Sequence, residues 1–188
     1  MLWGGAKGGL EVRTSADGAT RLSGRFPYGA ATILAAGPQR RREVFAARAF
    51  GARIEAGEDV HLLVHHDFDR PLASRAAGSL TLEDGDDALS FEAVLSPELR
   101  SVGYVGDFLG TLAAGLVRGL SPGFTVRAGG DTVKSDGEGL IRVVSAADLV
   151  ELSAVTRPAY PSAQVEARSW QVAPPPARPV SHRLRWRA

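Results

Sequence analysis

The chain has 188 residues, 44% of them hydrophobic and 23% charged, with a net charge of +1. That is room for one domain with a real core, and too nearly neutral for the whole chain to act as an electrostatic sleeve for nucleic acid. It contains no cysteine, which removes disulfide scaffolds, thiol nucleophiles and cysteine-ligated zinc from consideration. No run approaches the roughly 18 apolar residues needed to span a bilayer, and residues 1–10 lack the apolar segment of a secretory signal, so neither a membrane nor export is expected.

Residues 1–16 are glycine-rich and read as an N-terminal extension, with Leu10-Glu11-Val12-Arg13 able to form a short edge strand. From Arg21 the texture changes. Leu22, Gly24, Phe26 and Tyr28 alternate with Arg21, Ser23, Arg25 and Pro27, and Ala31-Thr32-Ile33-Leu34 follows. This predicts one or two strands broken near Pro27 or Gly29. Arg40, Arg41 and Arg42 make a basic turn, either a solvated loop or a contact for substrate or scaffold. Val44, Phe45, Ala47, Phe50 and Ile54 suit a short helix within residues 43–54. Residues 60–66 read as a strand and residues 67–71 as the turn ending it. Two more strands are predicted near 76–82 and 88–95, with Asp84-Gly85-Asp86-Asp87 as the hairpin turn.

Ser96-Pro97-Glu98 is a helix start: serine caps, proline suits the first helical position, and glutamate favours the positive end of the dipole. One helix is expected from there to about Val117, anchored by Leu99, Val102, Leu109, Leu112 and Leu116 and stopped by Gly119. Then comes Leu120-Ser121-Pro122-Gly123-Phe124. Ser121 stands where a helix gives way to a strand, between two glycines. A hydroxyl protruding at such a junction is the kind an activated nucleophile needs. Strands are expected at 124–126, 140–144 and 149–155, with a polar turn region at 129–139. Arg157-Pro158-Ala159-Tyr160-Pro161 ends the last strand. Residues 170–188 form a proline-rich tail with four arginines, expected to be flexible and outside the domain, residues 17–169.

A serine needs a base, usually histidine, that is itself oriented by a third group. Of the four histidines, His182 lies in the tail. Strand parity puts Val60, Leu62, Val64 and His66 on one face and His61, Leu63 and His65 on the other. His66 ends the more apolar row, next to a turn, and is the candidate base; His65 is the alternative. His61, His65, His66 and Asp67 also invite a metal reading, but on a strand residues 61 and 65 lie about 13 Å apart, so no metal site is expected. Glu151 sits among apolar neighbours, where a carboxylate is costly unless paired. It either orients the imidazole or forms a cross-strand ion pair with an arginine, the arginine pair being the plainer of the two.

At these three places the chain resembles the prohead serine proteases of tailed phages, whose fold is similar to herpesvirus assemblin. The matching pieces are His66-Asp67, then Leu120-Ser121-Pro122-Gly123-Phe124, then Glu151-Leu152-Ser153 with Pro158-Ala159. They occur in the family's order across residues 20–168. The resemblance implies an α+β, β-rich fold, a herpesvirus-protease-like barrel of short strands with a main helix before the nucleophile strand. It implies His66 as base, Ser121 as nucleophile and Glu151 as third member, with no cofactor. It also implies a substrate, the major capsid protein or scaffold and the protease's own chain, and a place of action inside the immature capsid in the bacterial host. Self-association is left open.

Three departures stand out. Pro122 follows the serine and has no N–H to offer an oxyanion, Tyr160 replaces an asparagine of the family's turn, and the histidine is doubled as His65-His66, which keeps His65 as the alternative base. Pro122 motivates an alternative: an inactive capsid-assembly or scaffold-binding module of the same fold. A third reading, a nucleic-acid-binding barrel, rests on Arg178, Arg183, Arg185, Trp186 and Arg187. Confinement of that charge to the tail makes nucleic acid an unexpected partner.

Overall fold

The structure is a computed structural model that describes residues 10–14, 19–35 and 40–156. The strands are β1 (Leu10–Thr14), β2 (Thr20–Pro27), β3 (Thr32–Ala35), β4 (Arg41–Phe45), β5 (His61–Val64), β6 (Asp67–Ser74), β7 (Leu80–Asp84), β8 (Ala88–Leu95), β9 (Gly119–Val126), β10 (Asp131–Ser135), β11 (Leu140–Val144) and β12 (Ala147–Val155). The helices are α1 (Gly51–Glu55), α2 (Pro97–Arg100) and α3 (Gly103–Ala113). The fold is β-rich. Its strands make three four-stranded sheets in the orders β1-β2-β8-β7, β10-β11-β4-β3 and β6-β5-β12-β9. Among the described residues they do not close into a barrel. No helix there is long and apolar enough to cross a membrane.

The first sheet follows the period-2 rule. Leu22 of β2 pairs with Ala93 of β8, and Leu82 of β7 with Phe91. All four are buried, as are Leu80, Leu89 and Leu95, while Arg21 and Glu92 face solvent and bridge at 2.7 Å. In the second sheet β11 runs parallel to β4. The expected basic turn is largely strand, since Arg41 and Arg42 open β4, and its charges are met within the fold: Arg40 pairs with Glu138, and Arg42 with Asp136 and Glu138.

An aromatic cluster joins the second and third sheets. Phe45 of β4 meets Phe124 of β9 edge-to-face at 5.0 Å and Phe50 at 5.2 Å, with Phe26 5.3 Å from Phe45. Phe50 is fully buried, so its truncation to alanine should cost about 3–5 kcal/mol.

Several elements differ from expectation. Residues 41–45 are strand and only Gly51–Glu55 is helix. The expected turn at 67–71 is the start of β6, and the polar region at 129–139 contains β10. The single helix is two. The Ser96 side chain does accept from the Leu99 N–H at 3.3 Å, but the first helix stops at Arg100. The second begins at Gly103 and buries Val105 and Phe108, while Val102 and Leu116 are exposed. Gly115, at φ +68°, takes the left-handed position after α3. Gly119 then starts β9 rather than ending a helix. The motif at residues 157–161 and the tail lie outside the described residues.

Candidate active site

The third sheet carries all three candidate residues. β12 lies between β5, parallel to it, and β9, antiparallel, and β9 is the edge strand. Along β9, Leu120, Phe124 and Val126 belong to or pack against the hydrophobic core. Strand alternation therefore turns Ser121 and Gly123 to the opposite face. The expected protruding junction is not what forms: Ser121 is the third residue of a strand and only 6% exposed. Its hydroxyl makes no hydrogen bond to another described residue. Pro122 is compatible with β9 because an edge strand can lack a ladder donor.

On β12 the sheet register shifts between Leu149 and Glu151, with Val150 as the extra residue. This bulge re-phases the strand. Leu149 and Leu152 both reach the core although they are three apart, and Glu151 is aimed at the site face beside Gly123 and Ser153. Glu151 is 3% exposed. The slot it fills exists because residue 123 is glycine: a Cβ there would lie 2.1 Å from Glu151 Oε1. The second glycine of the motif thus makes room for a carboxylate, rather than loosening the chain around the serine.

His66 does not end a strand. β5 stops at Val64, which pairs with Asp67 of β6, so His65 and His66 are a two-residue hairpin loop. Their φ values are 55° and 62°, the left-handed pair that such tight loops require. For non-glycine residues this costs about 1–3 kcal/mol each, and the surroundings hold the loop in place. The His65 N–H donates to the Ala154 carbonyl at 3.1 Å. The His66 N–H donates to Ser153 Oγ at 2.9 Å. His66 Nδ1 is 2.6 Å from Glu151 Oε1, and Ser153 Oγ donates to Glu151 Oε2 at 2.6 Å.

The buried carboxylate is therefore satisfied by a histidine and a serine, not by an arginine. The pairing also sets the ring's chemistry. The hydrogen bond that His66 donates to Glu151 raises the ring's pKa above the usual histidine value, partial burial opposes this, and the carboxylate charge adds to the rise. With Nδ1 engaged, Nε2 is the nitrogen left to exchange a proton.

The other histidines stand apart. His65 is exposed. His61 has Nε2 3.6 Å from Asp59 and its ring against Phe68. His182 lies outside the described residues. No cluster of three or more potential metal ligands occurs among the described residues. The sequence reasoning quoted Ser153 within a motif but gave it no role, although a hydroxyl two residues from a buried glutamate on a strand shares its face. It also missed the histidine loop, which lacks the Asn-Gly signal of such turns.

Comparison with protein-family models finds a match over residues 28–175 to the family described as caudovirus prohead serine protease. No curated protein and no solved structure matches the chain.

Proposed function

We propose a reaction for this site from one premise: the chain belongs to the caudovirus prohead serine protease family. Ser121 is the nucleophile, His66 the general base and Glu151 the residue that orients it. The observation carrying this assignment is the 2.6 Å contact between His66 Nδ1 and the buried Glu151 carboxylate, on the face shared with Ser121.

Ser121 Oγ attacks the scissile carbonyl while His66 Nε2 takes its proton. Glu151 holds the ring by Nδ1–H and stabilises the imidazolium. The proton then passes to the leaving amine, and water, activated by the same nitrogen, releases the acyl group from Ser121. Pro122 has no N–H, so the oxyanion is held by the Gly123 N–H or by a donor from another loop. Substrates are the capsid or scaffold protein and the protease's own chain, cleaved inside the immature capsid in the host cytoplasm. A herpesvirus-protease-like arrangement of the strands is part of the same proposal; it rests on the family resemblance, not on a closed barrel.

The test is co-expression with the cognate major capsid protein. Wild type trims it and Ser121→Ala leaves it full length. Trimming that continues with Ser121→Ala removes the assignment. A wild-type chain that assembles heads without trimming would instead make it the assembly module that Pro122 suggests.

A further inference from the structure

We propose that Ser153 is a positioning residue of this site, its hydroxyl locking the His66 loop and the Glu151 carboxylate into one geometry. The inference rests on the functional reading above and assigns work to a residue that the reading leaves out.

Ser153 is fully buried at the centre of the sheet, opposite Leu63 on β5 and Ser121 on β9. Its hydroxyl proton goes to Glu151 Oε2 and its oxygen accepts the His66 N–H. A hydroxyl has a single proton to give, so Ser153 is committed where Ser121 is not. It is a fixed strut beside the nucleophile rather than a competing one.

The strut acts on two bodies at once. Glu151 has one oxygen on His66 Nδ1 and the other on Ser153, so its carboxylate plane cannot turn without breaking a 2.6 Å contact on either side. The His65–His66 loop is held in an unfavourable backbone conformation by two main-chain donors, one to Ala154 O and one to Ser153 Oγ. Removing the hydroxyl releases half of that anchoring. It also leaves a buried carboxylate oxygen without its donor, which favours rearrangement over waiting unpaired. A displacement of about 1 Å in a catalytic group lowers rate by about 10²-fold.

Ser79 supplies a matched control. Its hydroxyl also bridges main chain, accepting from the Ser74 N–H at 3.1 Å and donating to the Ser74 carbonyl at 3.3 Å, away from the site.

The experiment uses the full chain, a fluorophosphonate probe and NMR titration of the His66 ring in wild type, Ser153→Ala, Ser153→Thr and Ser79→Ala. Ser153→Ala should label Ser121 about 10²-fold more slowly at saturating probe, with half-saturation unchanged. Its His66 titration should move down toward the ordinary histidine value. Ser153→Thr keeps the hydroxyl and should recover both readouts, and Ser79→Ala should match wild type in both. A His66 titration that does not move in Ser153→Ala overturns the proposal. That readout needs no reaction at Ser121. If wild type takes up no probe at Ser121, the catalytic assignment fails separately, while the titration still decides the role of Ser153.

Discussion

Among the described residues two glutamates are buried almost completely, Glu43 at 2% exposure and Glu151 at 3%, and their partners make them different devices. Glu43 faces Arg142 across the parallel pair β4–β11, at 3.2 Å, and Arg142 also holds Asp131 at 2.6 Å. Arginine stays charged at any ordinary pH and is no proton carrier; the work of this ion group is to fix how two strands meet. Glu151 faces a histidine whose side chain is 47% exposed. That partner titrates, reaches solvent and keeps one nitrogen uncommitted. A buried carboxylate paired with arginine registers a sheet, whereas the one paired with a rim histidine is, in our proposal, arranged for proton transfer.

Substituting each glutamate by its amide should separate the two. Glu151→Gln is expected to have the largest effect, about 10⁴-fold on the rate of the serine reaction, because the amide favours the wrong imidazole tautomer. Its thermal midpoint should stay near wild type. The same variant tests the pH dependence. His66 has a folded-state pKa above its ordinary value, so its pairing contributes stability fully below the ordinary value and loses it as pH rises through the raised one. The neutral base appears only above the raised value. Glu151→Gln should therefore shift the acid limb of the remaining activity to lower pH; a limb that stays in place would detach Glu151 from the titration.

Glu43→Gln should do the reverse. Breaking a buried ion pair costs about 3–5 kcal/mol of stability, measurable by urea unfolding, while the folded fraction keeps its rate. Lost rate at full folding would mean that the two glutamates are not separate devices.

The smallest change comes from Gly123→Ala. Its Cβ must displace the Glu151 carboxylate, and a shift of that size should cost about 10²-fold in rate with modest loss of stability. An alanine variant as active as wild type would show that the glycine slot does not position Glu151.

The regular parts of this fold were legible in the sequence. β8 and β11 fall at the bounds expected from alternation, residues 88–95 and 140–144, and the Ser96 cap forms as Ser-Pro-Glu implies. The placement of the candidate residues was legible in part: His66, Ser121 and Glu151 do lie on one sheet and its first hairpin. The reasons given for them failed where geometry departs from a period. Parity placed His66 at a strand end, but two left-handed histidines close a turn there, paid for by contacts from β12 that a local reading cannot see. The bulge at Val150 changes which face Glu151 takes, and nothing in Leu149-Val150-Glu151-Leu152 announces it. Gly123 looked like freedom for Ser121 because the side chain that needs its space lies 28 residues further on.

The central claim is that Ser121 is a nucleophile activated by the His66–Glu151 pair. Peptide mapping by mass spectrometry after fluorophosphonate treatment tests it most directly. The account predicts a single adduct on Ser121 in wild type, absent in Ser121→Ala and strongly slowed in His66→Ala. An adduct on another serine, or one on Ser121 that forms as fast in His66→Ala, would contradict it.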